Sequence, residues 1–162
     1  MEKPPSDTAI EDNTYRIFPN DLNSKGTVFG GLIMAQIDKI AAVIAERHSE
    51  KVSVTASVDA IHFLAPAGHG ENLIFKASIN RSWVSSMEVG VKVLAEENLG
   101  GRKRRHIVSA YLTFVALDQS GKPSEVPKVI PETEDEKRRF KEAEIRRSHR
   151  FKSAQEIKKH RK

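Results

Sequence analysis

The stretch NSKGTVFGGLIMAQID, Asn23 to Asp38, sets a glycine pair at the head of an apolar helical pattern and a lone aspartate about two turns further on. A carboxylate among such neighbours is costly unless something satisfies it. Laid out at about 100° per residue, Ile33, Ile37, Ile40 and Ile44 form one stripe. Gly31, Met34, Ala35, Ala41, Ala42 and Ala45 form the flank beside it, and Asp38 falls in the middle of that flank. Gln36, Lys39, Glu46 and Arg47 take the remaining polar side. Asp38 is therefore expected off the solvated face, where small residues let another backbone come close. From the wheel alone the plainer reading is structural, an aspartate capping a loop or paired with a lysine. The other reading is a general base or a nucleophile.

The glycine pair favours chemistry. Gly30 and Gly31 stand where the free N–H groups of a helix start converge with the positive end of its dipole. Such a terminus holds a developing oxyanion, and glycine lets a carbonyl approach closely. Asp38 lies about 10 Å further along at 1.5 Å rise per residue, too far to share one carbonyl with the helix start of its own chain. The spacing predicts a site shared between two subunits.

These residues need positioning elements. TYRIF (Thr14–Phe18) reads as a short strand, closed by Pro19 and a turn-like segment. The periodicity then predicts a helix from Phe29 to about His48. Alternation across Lys51–Phe63, with Val52, Val54, Ala56 and Val58 on one side, predicts a strand. Further strands are expected at LIFKASIN, at WVSSMEVGVKVLAE (Met87, Val89, Val91 and Val93 on one side), and over His106–Asp118, with ENLGGRK as a hairpin loop. Consecutive strands after one helix favour an antiparallel sheet wrapped around that helix, an α+β arrangement. After Pro131 a helix is expected that docks early and frays late; Thr133 and Glu136 match a capping box.

Composition bounds the rest. With 162 residues and no cysteine, one domain with a tail is the simplest organisation, and disulfides and thiolate metal sites are excluded. The polar opening residues do not read as a secretory signal, and no apolar run approaches the roughly 20 residues of a membrane span; a cytoplasmic protein is expected. The net charge of +5 sits in the tail: residues 1–128 hold 15 Lys/Arg and 15 Asp/Glu, residues 129–162 hold 12 and 7. The tail lacks a broad apolar face for membrane insertion and a groove-reading motif for nucleic acid.

NDLNSKGTVFGGLIMAQIDKIAA followed by SVDAIHFLAPAGHGE resembles the hotdog-fold acyl-CoA thioesterases, the bacterial family related to brain acyl-CoA hydrolase. The resemblance covers roughly residues 12–130, with residues 1–11 a flexible lead and 131–162 a basic helical tail. It implies a central helix inside a curled antiparallel sheet. It also implies hydrolysis of a fatty acyl-CoA to free acid and CoA, with no metal or further cofactor, in a homo-oligomer that is at least dimeric, as a trimer of dimers. Carried over, Asp38 is the general base or nucleophile, the Gly30 and Gly31 amides polarise the thioester carbonyl, and Asn23 of the partner orients thioester or water. Phe29 and His62 flank the site, and Ser85 or Ser86 contacts substrate. Relatives often carry a basic residue where this chain has Ala65.

RKRR (Arg102 to Arg105) either grips CoA phosphates, with Arg102 and Arg104 foremost, or forms a solvated hairpin edge. Asp59 reads as a strand-surface acid and Trp83 as core or interface packing. Two rivals stand within the same superfamily. An acyl-CoA sensor that does not cleave its ligand would need a DNA-binding segment for which the first thirteen residues leave no room. A dehydratase would need a histidine near the helix, and AQIDKIAA offers none.

Overall fold

A computed structural model describes residues 1–161. Its centre is helix α1 (Gly30–Ser49), whose Ile33, Ile37, Ile40 and Ile44 are buried as the periodicity requires. Strands β2 (Ile10–Arg16), β3 (Ser53–Val58), β4 (His62–Phe63), β5 (Glu71–Ser82), β6 (Ser86–Glu97) and β7 (Arg104–Ala116) make one antiparallel sheet. Its order is β2-β5-β6-β7-β3, with β4 also against β7. The inner face of the sheet, carrying Leu73, Phe75, Ile79, Met87, Val89, Val91, Val93, Leu112 and Phe114, closes on the isoleucine stripe. The wrapped-helix arrangement is thus present.

Three local expectations are corrected. Residues 1–11 do not lead freely into the domain: strand β1 (Glu2–Lys3) pairs in parallel with β8 (Lys128–Val129), and β2 already begins at Ile10. The strand expected over Lys51–Phe63 is two strands, parted at residues 59–61, and within the first a bulge between Thr55 and Ser57 breaks the alternation. Across the bulge Thr55 lies opposite Phe114 and Val58 opposite Leu112. Both therefore share the inner face, and Val54, opposite Val115, faces out. A bulge inserts one unpaired residue and flips the pattern that follows. Finally, helix α2 (Glu134–His160) stays helical through its last turns, although Phe151–His160 is exposed throughout. Thr133 and Glu136 form its capping box, with the Glu136 amide donating to Thr133 Oγ1 (3.2 Å) and the Glu136 carboxylate accepting from the Thr133 amide (3.0 Å).

The far end of α1 shows how the amino-terminal segment is held. Lys3 Nζ donates to the His48 carbonyl (3.2 Å), a cation placed on the negative end of the helix. His48 is fully buried; its Nε2 donates to the Pro127 carbonyl (2.8 Å), while Nδ1 has no partner. Burial holds its pKa below the usual 6.5, and nearby Lys3 acts in the same direction. Below pH 6.5 the unfolded chain therefore takes up a proton there that the folded chain resists, so stability falls with acidification through that window. Thermal melts from pH 7 to 5 will show a steeper loss of Tm for the wild type than for His48→Gln, which has no group to titrate.

Candidate active site

The loop before α1 is stitched by Asn23. Its Oδ1 accepts from the amides of Lys25 (2.9 Å) and Thr27 (3.2 Å), and its Nδ2 donates to Thr27 Oγ1 (2.9 Å). Asn23 is thus a turn organiser in its own chain, with one amide hydrogen left over. The Phe29 amide donates to the Asp21 carbonyl and the Val28 amide to the Ala67 carbonyl, both at 2.8 Å, which fixes where the helix begins.

That beginning is bare. Phe29 occupies the cap position and supplies no side-chain acceptor, so the Gly30 and Gly31 amides keep the partnerless state of a first turn. Both glycines have an aromatic ring where a side chain would stand. A Cβ on Gly31 would meet the Phe29 ring at 2.4 Å, and one on Gly30 would meet the Phe63 ring at 3.3 Å. The two rings lie against the helix start, and the Phe63 ring borders an apolar cleft of about 370 Å³, lined by Gly30, Ile33, Leu64 and Ala67 among others. An acyl chain or pantetheine arm fits such a lining.

Asp38 faces solvent in the single chain, not a buried flank. The flank is nonetheless apolar: Met34 on α1 and Val58 on β3 are each 47% exposed. The Thr55 hydroxyl donates to Asp38 Oδ1 (2.6 Å), which orients the carboxylate and leaves its other oxygen available. Thr55 carries no signal in the sequence: it shares a side with Ser53 in the alternation of β3, and only pairing with β7 shows that this side faces α1.

Strand register separates the two halves. Phe63, over the helix start, pairs with Val108, whereas Thr55, holding Asp38, pairs with Phe114. Six residues along β7 make roughly 20 Å. Ser86 lies opposite Val115, at the Asp38 end and far from the cleft; Ser85 is its neighbour, its carbonyl accepting from the Ala116 amide. His62 is exposed and alternates with Phe63, so it points away from the cleft.

Of the basic cluster, Arg102 is exposed in the hairpin loop with φ 55°. Arg104 is engaged by Glu96 (2.6 Å) and Asp12 (3.3 Å). Arg105, not singled out from sequence, is the member that reaches the site. Its Nη2 donates to the Pro66 carbonyl (2.6 Å) in the cleft-lining loop, and its guanidinium holds the Glu71 carboxyl below its usual range. Asp59 is more than a surface acid: Arg150 clamps it at 2.9 and 3.0 Å. Trp83 lies under Arg147 and donates to Glu144 (2.9 Å).

A long helix cradled by an antiparallel sheet is the hotdog arrangement, here with an open helix start at one end and a threonine-held carboxylate at the other. The sequence pattern of the thioesterase superfamily matches residues 25–101. Over 123 residues the chain is 46% identical to YkhA of Bacillus subtilis, an uncharacterised acyl-CoA thioester hydrolase; the match covers 76% of this chain and 71% of that one. It is 40% identical over 133 residues to the mouse cytosolic acyl coenzyme A thioester hydrolase, covering 82% of this chain but only 35% of the longer mouse protein.

Among solved structures, an apo-hexameric acyl-CoA thioesterase superposes with a TM-score of 0.90 at 38% identity, covering 94% of this chain and 97% of that one. An acyl-CoA hydrolase of Staphylococcus aureus in complex with butyryl coenzyme A, coenzyme A and coenzyme A disulfide gives 0.87 at 37%, covering both chains entirely. The Staphylococcus enzyme has also been solved with an aspartate, a threonine and an asparagine each replaced by alanine. The chain belongs to the thioesterase superfamily, in its hotdog-fold acyl-CoA hydrolase group.

Proposed function

We propose that this chain hydrolyses acyl-CoA to a free acid and CoA in a site built by two copies. The observation that carries the reading is the separation of Asp38–Thr55 from the Gly30–Phe63 cleft along one sheet. A two-fold axis at the β3 edge brings the carboxylate end of one copy to the helix start of the other. The edge strand that would meet it is unprotected and apolar, which proteins avoid unless something pairs there.

In this reading the Gly30 and Gly31 amides accept the charge that develops on the thioester oxygen. Asp38 takes a proton from the attacking water, the tetrahedral intermediate expels the CoA sulfur, and the proton passes to that thiolate. The acyl group leaves as a carboxylic acid. Asn23 orients the thioester or the water from the copy that supplies the glycines. The asparagine, aspartate and threonine replaced in the Staphylococcus enzyme follow in the same order and at the same spacings as Asn23, Asp38 and Thr55, which supports those assignments and adds Thr55. No metal or further cofactor takes part. Assembly as a trimer of dimers is supported by the hexameric relatives. Among the described residues no helix is long and apolar enough to cross a membrane, and a cytoplasmic location is supported by the relatives named cytosolic.

The test is complementation. Asp38→Asn and Asn23→Ala, each assayed alone for thiol release from acyl-CoAs of increasing chain length, will be nearly inactive. Unfolded and refolded together, they will recover activity, because each mixed dimer holds one site with neither substitution; random pairing restores about a quarter of the sites. Absence of recovery in demonstrably mixed dimers would place the whole site in one chain. Wild-type protein that binds CoA but releases no thiol would favour a sensor.

A further inference from the structure

We propose that the last turns of α2, Phe151–His160, form a clasp that lies on the outer face of a second copy docked at the β3 edge. The proposal rests on the shared-site reading and gives the basic tail a role in it. Helix α2 crosses the outer face of its own sheet strand by strand. Arg81 of β5 stacks on Phe140 (4.2 Å). Arg146 bonds Glu88 of β6 (2.7 Å) and stacks on Tyr111 of β7 (3.6 Å). Arg150 clamps Asp59, immediately after β3. There the sheet ends and the helix does not. Ten more residues carry it about 15 Å further, the width of roughly three strands, and every one of them is exposed.

The overrun keeps the face that packs. Phe140, Ala143 and Arg147 lie inward over the sheet, and the same stripe continues through Phe151 and Ala154 to Ile157; Phe151 and Ile157 are 56 and 49% exposed. A helix end meant only for solvent has no use for that continuity. A second copy meeting the free β3 edge would lie in the path of the overrun. The overrun is also basic, carrying Lys152, Lys158 and Lys159 against Glu156 alone.

Two variants test this: a chain ending at Arg150, and full-length Phe151→Glu/Ile157→Glu, which keeps the helix length. Sedimentation over a range of protein concentrations, circular dichroism and thiol release are measured on each and on the wild type. Both variants are expected to fold. They should self-associate about 10- to 100-fold more weakly, with specific activity that falls on dilution and returns at high concentration. Variants that assemble like an oligomeric wild type would overturn the clasp and leave the shared site standing. A wild type that is monomeric and active would overturn both. Loss of binding to anionic phosphatidylglycerol vesicles, with assembly unchanged, would reassign the tail to a membrane surface.

Discussion

Asp38→Asn is expected to lower kcat for acyl-CoA hydrolysis by about 10²–10⁴-fold while KM stays close to wild type. Asparagine keeps the shape and can still accept the hydrogen bond from Thr55, so neither the fold nor the position of the side chain should change. What is removed is the ability to take a proton. Thr55→Ala, which frees the carboxylate to rotate, should give a smaller loss of the same kind, largely restored by Thr55→Ser. Thiol release with saturating substrate separates these effects. An Asp38→Asn enzyme within a few-fold of wild type would return this aspartate to a structural role.

The largest expected effect on stability lies on the opposite face of the sheet. Glu88 is completely buried, and its carboxylate accepts from Arg146 Nε (3.1 Å) and Nη2 (2.7 Å) and from Asn80 Nδ2 (2.9 Å). Arg146→Ala leaves that charge with one neutral donor. Breaking a buried pair from one side costs about 3–5 kcal/mol, a large share of the 5–15 kcal/mol that holds a typical domain together. Urea unfolding should show the loss, along with release of α2, whose Arg146 also covers Tyr111. The double substitution Glu88→Leu/Arg146→Met should recover most of it, since no buried charge remains. A loss below about 1 kcal/mol for Arg146→Ala would mean that water reaches the pair.

What could be read from sequence follows from how each element earns its place. Helix α1 announces itself because its four isoleucines face a core on one side only. Strand β6 does so because Met87, Val89, Val91 and Val93 alternate without interruption. Thr133 and Glu136 fix the start of α2 by local hydrogen bonds alone, so a span of four residues suffices to see it. Strand β3 misleads, since its valines suggest one inward side, whereas pairing with β7 turns Ser53 and Thr55 inward and the bulge at Ala56 adds Val58 to them. That pairing is a contact across the fold. The basic cluster misleads for a related reason: Arg104 and Arg105 are neighbours in sequence, yet alternation along β7 sends one to Glu96 and Asp12 and the other to Glu71 and the cleft loop. Asp38 and Gly30 could be named in advance because their types are unusual for where they stand. Their distance apart could be named too, being set by the rise of a single helix.

The bare start of α1 bears on how this enzyme can be improved. A serine or aspartate at position 29 would cap the helix and stabilise it by about 1 kcal/mol, and it is a change that consensus or computational stabilisation would propose. It would also turn a hydrogen-bond acceptor, or a full negative charge, towards the amides proposed above to receive the thioester oxygen, and would remove the ring that covers Gly31. Thermostability gained at this position is therefore exchanged for turnover. Screens that select on melting temperature alone should leave Phe29 fixed.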